Sequence, residues 1–167
     1  MYGTATNFIN YHEARGRTIP VAWDTAFINA TLLVASEWLD NVYGSLFFGY
    51  PTDGFEQVRQ WPRTSAMTNT NPVYVFATDE IPDRIDYATY EAAWREGNSP
   101  ESLNVDYTPS QYNSVAIEGA VTVDYNTSSD VIDLQTQIRI VDSLMTPLLD
   151  PSSDGYMSNL SGASERV

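Results

Sequence analysis

The sequence predicts a mainly α fold: a small helical bundle with one β-hairpin, a long Trp-Pro-Arg loop and an extended C-terminal tail. Three observations carry that expectation. Apolar residues recur at helical spacing in Ala22–Gly44, in Asp79–Gly97 and in the stretch that ends at Leu148. Val115–Tyr125 switches to period two. Ser45–Asp79 keeps neither period and is rich in Gly, Pro, Thr and Asn. A chain of 167 residues is long enough for one real core. Residues 1–150 read as a helical domain with a hairpin near 112–126, and residues 151–167 as a flexible arm.

The elements follow in order. Residues 1–7 form a short extended lead. Asn7–Gly16 reads as a short helix, with Asn7 as its cap, Phe8 and Tyr11 on one face, and Gly16 as its stop. The strongest helix is Ala22–Gly44. Trp23, Phe27, Ala30, Val34 and Trp38 make one row, and Ile28, Leu32, Ala35, Leu39 and Val42 make a second beside it. An apolar arc that wide implies burial against more than one neighbour.

Val73–Ala77 is a short extended segment within an otherwise irregular stretch. Asp79–Gly97 is a helix with Asp79 as cap, Pro82 in its first turn, and Ile81, Ile85, Ala88 and Ala92 as its buried stripe. A linker leads to the hairpin, turning at Glu118-Gly119, with Val121, Val123 and Tyr125 on one face. In the last helix Val131, Leu134, Ile138, Val141, Met145 and Leu148 step by three and four. Ser128 or Ser129 caps it, Asp130 and Asp133 sit where the helix dipole favours them, and Pro147 ends or kinks it.

Charge bounds the function. Eight arginines, no lysine and 22 acids give a formal net charge of −14. Such a surface repels phosphate, whereas nucleic-acid affinity comes from Lys and Arg displacing counterions. Without cysteine there is no disulfide framework, thiolate metal site or Cys nucleophile. No apolar run is long enough to span a membrane, and no signal peptide is visible at the N-terminus.

No catalytic constellation emerges, so an enzyme, a cofactor and a metal site are not expected. His12 is the single histidine, and Glu13 beside it points elsewhere on a helix. There is no Gly-x-Ser-x-Gly elbow, calcium loop or phosphate-cradling glycine loop. Binding remains. Its candidate residues are Trp61, Pro62 and Arg63 in the long loop, Val121, Val123 and Tyr125 in the hairpin, and the apolar hooks Tyr156, Met157 and Leu160 in the tail. A loop this long is uncommon inside a compact domain unless it is functional or docked. Trp61 either lids the core or pins the loop as a platform for a partner, and Arg63 is expected to satisfy carbonyls or carboxylates.

The order of motifs is more specific than any one of them: NYHEARG, then ASEWLDNVYG, QWPR, DEIPDRIDYATYEAA, EGAVTVDY and finally IVDSLMTPLL. From Asn7 to Leu149 this order resembles a family of small tailed-bacteriophage proteins. They are often labelled DnaT-like single-stranded-DNA-binding proteins and look like head-completion or adaptor proteins of the neck. The resemblance implies a structural virion protein at the head–tail interface. It would form a homo-dodecameric ring below the portal protein, contact further neck or tail proteins, and let DNA pass through its channel, with no membrane involved. It also implies that the C-terminal arm, with Tyr156, Met157 and Leu160, inserts against the portal. The label itself implies the alternative, an accessory protein of phage replication that binds single-stranded DNA.

Overall fold

The computed structural model describes residues 1–104, 114–117, 121–124 and 138–153. Within them the fold is mainly α. Four helices carry it: α1 (Ala5–Glu13), α2 (Thr25–Tyr43), α3 (Asp83–Asn98) and α4 (Arg139–Met145). Two small antiparallel pairs accompany them. β1 (Tyr50–Pro51) pairs with β2 (Arg63–Thr64), and β3 (Ser114–Ile117) pairs with β4 (Val121–Asp124).

α2 and α3 form the central pair; α4 lies on α3, and α1 packs against both central helices. The core runs from Phe8 through Ile28, Leu32, Ala35 and Leu39 of α2 to Ile85, Ala88 and Ala92 of α3 and Val141 and Met145 of α4. Of the two apolar rows on α2, the Ile28–Leu39 row is the more buried, with Val42 at its end half-buried; in the other, Trp38 is buried, Phe27 and Val34 are half-buried and Ala30 is exposed.

Several boundaries differ from the sequence expectation. α1 begins earlier, because Thr4 rather than Asn7 is the cap: the Asn7 backbone N–H donates to Thr4 Oγ1 at 3.2 Å. α2 is capped by Asp24, whose Oδ1 accepts from the Phe27 N–H at 2.8 Å, so Ala22 and Trp23 lie outside the helix. α3 begins at Asp83 with Pro82 at the cap position, not at Asp79. A residue preceding proline is pushed out of the helical region, so Ile81 cannot be helical and is exposed rather than buried.

Val73–Ala77 makes a single bridge, Met67 to Val75, instead of a strand. α4 is described from Arg139 and gives way to a 3-10 turn at Thr146–Leu148, where Pro147 stops the α-helix. Val131, Leu134, the hairpin turn Glu118-Gly119 and Tyr125 lie outside the described residues.

The N-terminal lead is not loose. Tyr2 is buried, its backbone N–H donates to Ser36 Oγ at 2.9 Å, and its hydroxyl donates to Asp40 at 2.5 Å. No helix among the described residues is long and apolar enough to cross a membrane.

Candidate interaction surface

The long loop, residues 47–80, is built on Trp61 and Arg63. Trp61 is only 2% exposed. Its ring lies between Phe47 and Phe76, edge-on to each at centroid distances of 5.5 Å. Its backbone N–H donates to the Tyr2 hydroxyl at 3.1 Å, tying the loop to the N-terminus. The peptide bond to Pro62 is cis.

Arg63 turns inward. Its guanidinium donates to the carbonyls of Phe48 (2.9 Å), Gly49 (2.6 Å) and Gln60 (3.3 Å), and to Gln60 Oε1 (2.8 Å). Five donors in a fixed fork suit this cluster of part-buried backbone acceptors. Burial holds the Arg63 pKa below its usual range. Gly49 allows the close approach: its φ is +71°, and a Cβ there would stand 2.1 Å from the Thr64 carbonyl oxygen. The loop's outer end is stitched by Thr52 Oγ1 donating to the Thr78 carbonyl at 2.7 Å.

A second polar node underlies the loop. Arg59 donates to Glu37 at 3.0 Å and to Asp40 at 3.4 Å, while Asp40 also accepts from Tyr2. Burial raises the Asp40 pKa despite these partners. Burial also raises that of Tyr2, and the neighbouring Asp40 charge adds to it.

Between α1 and α3, Glu91 accepts from Tyr11 Oη at 3.0 Å and from Arg17 at 2.8 Å. His12, fully buried, is held between the Tyr90 carbonyl (3.1 Å from Nε2) and Arg17 (3.0 Å from Nδ1). The network assigns the neutral tautomer with the proton on Nε2, because Nδ1 must accept from the guanidinium. Arg15 lies over the Tyr11 ring at 3.4 Å from its centroid.

Among the described residues, then, Arg15, Arg17, Arg59 and Arg63 are all engaged within the fold. Arg84, Arg95 and Arg139 are exposed, and no described residue bonds their side chains. They sit at the start and end of α3 and the start of α4. No group of three or more potential metal ligands exists among the described residues.

The loop presents large apolar side chains outward, beside the exposed acids Asp53, Glu56 and Asp79. Phe55 is fully exposed, Val58 nearly so, and Tyr50, Val73, Tyr74 and Val75 are each more than half exposed. Trp61 and Arg63 thus form the buried base of the loop, with Pro62 half-buried between them. Val121 and Val123 lie in β4, their backbones opposite Ile117 and Val115. Tyr125, Tyr156, Met157 and Leu160 lie outside the described residues. Sequence reasoning missed Phe55 and Val58, although two large apolar residues in a Gly/Asp/Gln loop are a readable signal. It also missed the Tyr2–Asp40–Arg59 node, whose members are far apart in the chain.

A family model described as "Putative DnaT-like ssDNA binding protein" matches residues 1–163. No curated protein and no solved structure matches the chain.

Proposed function

The chain belongs to this DnaT-like family, and from that membership, its charge and its folded geometry together we propose that it is a structural subunit of a phage neck. In this reading copies assemble in a ring below the portal, join the capsid vertex to the tail, and leave a passage for DNA. The observation that carries it is the disposition of the arginines. A protein of net charge −14 with no lysine bonds Arg15, Arg17, Arg59 and Arg63 to partners within its own fold, Arg63 buried and Arg15 at the surface. Its surface charge is then overwhelmingly acidic, and such a wall lets duplex DNA slide without adhering.

Assembly needs faces for protein, not for phosphate. The firm loop with Phe55 and Val58 and the uncharged stretch of α2 from Thr25 to Ser36, with exposed Ala30 and Leu33, are two different faces. A ring closes through such a heterologous pair. The motif order QWPR, DEIP and GAVTVDY supports the same reading through its resemblance to neck adaptors. The test is electron microscopy of the protein mixed with the portal of the same phage, and of purified particles. Ring density at the portal's distal end is expected, and particles without these subunits in the neck would refute the assignment.

The family's own description favours a second reading, an accessory protein that binds single-stranded DNA. Exposed Tyr50, Phe55 and Tyr74 offer rings on which bases stack, and Arg84, Arg95 and Arg139 are available cations. A titration with labelled single-stranded DNA at about 150 mM salt separates the two. The neck reading expects no binding tighter than about 1 μM and almost no dependence on salt. Tighter binding, with affinity falling steeply as salt rises, would make the second reading the function.

A further inference from the structure

Within an acidic molecule, one surface gathers four of the eight arginines. Arg84, Tyr87, Glu91 and Arg95 follow one another at helical spacing and share one stripe of α3. From Arg84 to Arg95 the stripe runs about 17 Å. The end of α1 lies on its middle. The centroids of the Tyr11 and Tyr87 rings are 5.1 Å apart, and the Tyr11 hydroxyl donates to Glu91. Arg15 stands over the Tyr11 ring and 5.9 Å from the Tyr87 centroid, while Arg17, just beyond α1, pairs with Glu91 at 2.8 Å. Glu91 is the acid of this stripe, and burial beneath Tyr11 and Arg17 takes it from the surface. Arg15, Arg84, Tyr87 and Arg95 are exposed.

The outer end of the long loop carries the opposite charge. The bond from Thr52 Oγ1 to the Thr78 carbonyl brings the next residues, Asp53 and Asp79, close together. Gln57 fixes the tip beside them. Its N–H donates to the Gly54 carbonyl at 3.3 Å, and its Oε1 accepts from the Asp53 N–H at 3.2 Å. Its Nε2 donates to the carbonyls of Arg59 (2.7 Å) and Pro62 (2.9 Å). That closed turn holds Phe55 and Glu56 in water. None of Asp53, Glu56 and Asp79 pairs with a cation among the described residues.

We propose that the Asp53–Glu56 loop tip of one copy docks on the Arg84–Tyr87–Arg95 stripe of a second copy. The charges are complementary, the guanidinium fork suits a carboxylate, and Phe55 meets the Tyr87 ring. Two copies at −14 repel at long range, so they meet most readily where the local charge reverses. The two surfaces differ, which makes the contact head-to-tail, as a ring requires. The proposal deepens the neck reading by giving the loop its counterpart on the next subunit; the uncharged α2 stretch offers no such complement to acids. The two can fail separately. A contact between copies with no subunits in the neck refutes that reading alone, and a neck ring without this contact refutes the proposal alone.

Paramagnetic broadening between copies tests it on the full chain, which has no cysteine of its own. A Phe55→Cys variant carrying a nitroxide on that thiol is mixed with nitrogen-15-labelled wild type at low salt. Amides from Arg84 to Arg95 should broaden about fivefold or more beyond those of Thr25–Ser36. Arg84→Glu with Arg95→Glu in the labelled copy should abolish the effect, and Asp53→Lys with Glu56→Lys in the nitroxide copy should then restore it. The lysine pair set against an unreversed partner should also abolish it, although it lowers the net charge and the general repulsion. The substituted side chains are exposed, and unchanged melting temperatures check the fold. Absent broadening, broadening centred on Thr25–Ser36, or broadening that the two arginine substitutions leave intact would overturn the proposal.

Discussion

His12 is the one imidazole in the chain, and its position makes it a clean reporter. Burial, with Arg17 and Arg15 nearby, lowers its pKa to about 4 from the ordinary 6.5, although the Tyr90 carbonyl and Glu91 pull the other way. Because the folded value is depressed, this residue's contribution to stability is complete above about pH 6.5. It is lost as pH falls toward 4, at up to about 1.4 kcal/mol per pH unit. Asp40 and Asp86 have pKa values raised by burial and so act with the opposite sign: their contribution is present at low pH and is lost as pH rises through their folded values. An acid melt therefore mixes the terms, and the direct measurement is the His12 ring-proton titration by NMR. A midpoint near 4 is expected; one near 6.5 would show an imidazole open to water. Trp61 and Gly49 give the second residue-scale prediction. Trp61→Ala removes the ring between Phe47 and Phe76 and should cost about 3–5 kcal/mol in denaturant unfolding. Gly49→Ala should lower stability through both its positive φ and the collision with the Thr64 carbonyl. A loss below about 1 kcal/mol at both sites would mean that the loop is not anchored there.

Among the elements, the loop from Phe47 to Glu80 is the one whose form comes from side chains rather than from a repeating backbone ladder. β1 and β2 contribute two residue pairs, and Arg63 then bonds the carbonyls that no strand satisfies. On that base Phe55 and Val58 stand in water. Phe55→Glu and Val58→Glu should leave the melting temperature of the isolated subunit within about 2 °C, since neither side chain packs on anything. If the loop is a face of the ring, both should prevent assembly on the portal. Normal rings with both substitutions would assign the contact to another face. α2 was legible in the sequence because two apolar rows at helical spacing leave little other choice. Which row lies inside was not legible. Both satisfy the period, and α1, α3 and α4, arriving from distant parts of the chain, cover the Ile28–Leu39 row. The start of α3 was misplaced by four residues because Asp79 offers a good cap, whereas Pro82 forbids helix at Ile81.

For the molecule as a whole, charge sets the behaviour. With −14 on the chain and half of the arginines bonded to partners within the fold, acids repel one another across the surface. Raising salt from about 10 to about 150 mM shortens the Debye length from about 30 to about 8 Å. The melting temperature of the subunit should therefore rise, because the screened repulsion outweighs the few exposed ion pairs, while the Arg17–Glu91 pair, with Glu91 buried, is screened little. A melting temperature that falls with added salt would mean that attractive surface pairs dominate. The same screening should ease the approach of one copy to another, so under the neck reading proposed above ring formation is expected to favour moderate over very low salt.

Taken alone, the sequence determined the fold class, the acidic surface and the bundle's main helix, because composition and local periodicity are properties of neighbouring residues. It also singled out the triplet Trp61-Pro62-Arg63 in the long loop as candidate binding residues. Only the folded chain decided where that triplet's groups go: Trp61 to a cleft between Phe47 and Phe76, and Arg63 to carbonyls on the turn at Phe47–Gly49. It alone joined Tyr2 to Asp40 and Trp61, buried His12 between Tyr90 and Arg17, and set Arg15 and Arg17 against the α3 stripe of Arg84 and Arg95. The reason is physical. Burial and hydrogen-bond partnership are set by which segments meet in space, and contacts between residues dozens of positions apart leave no period in the chain.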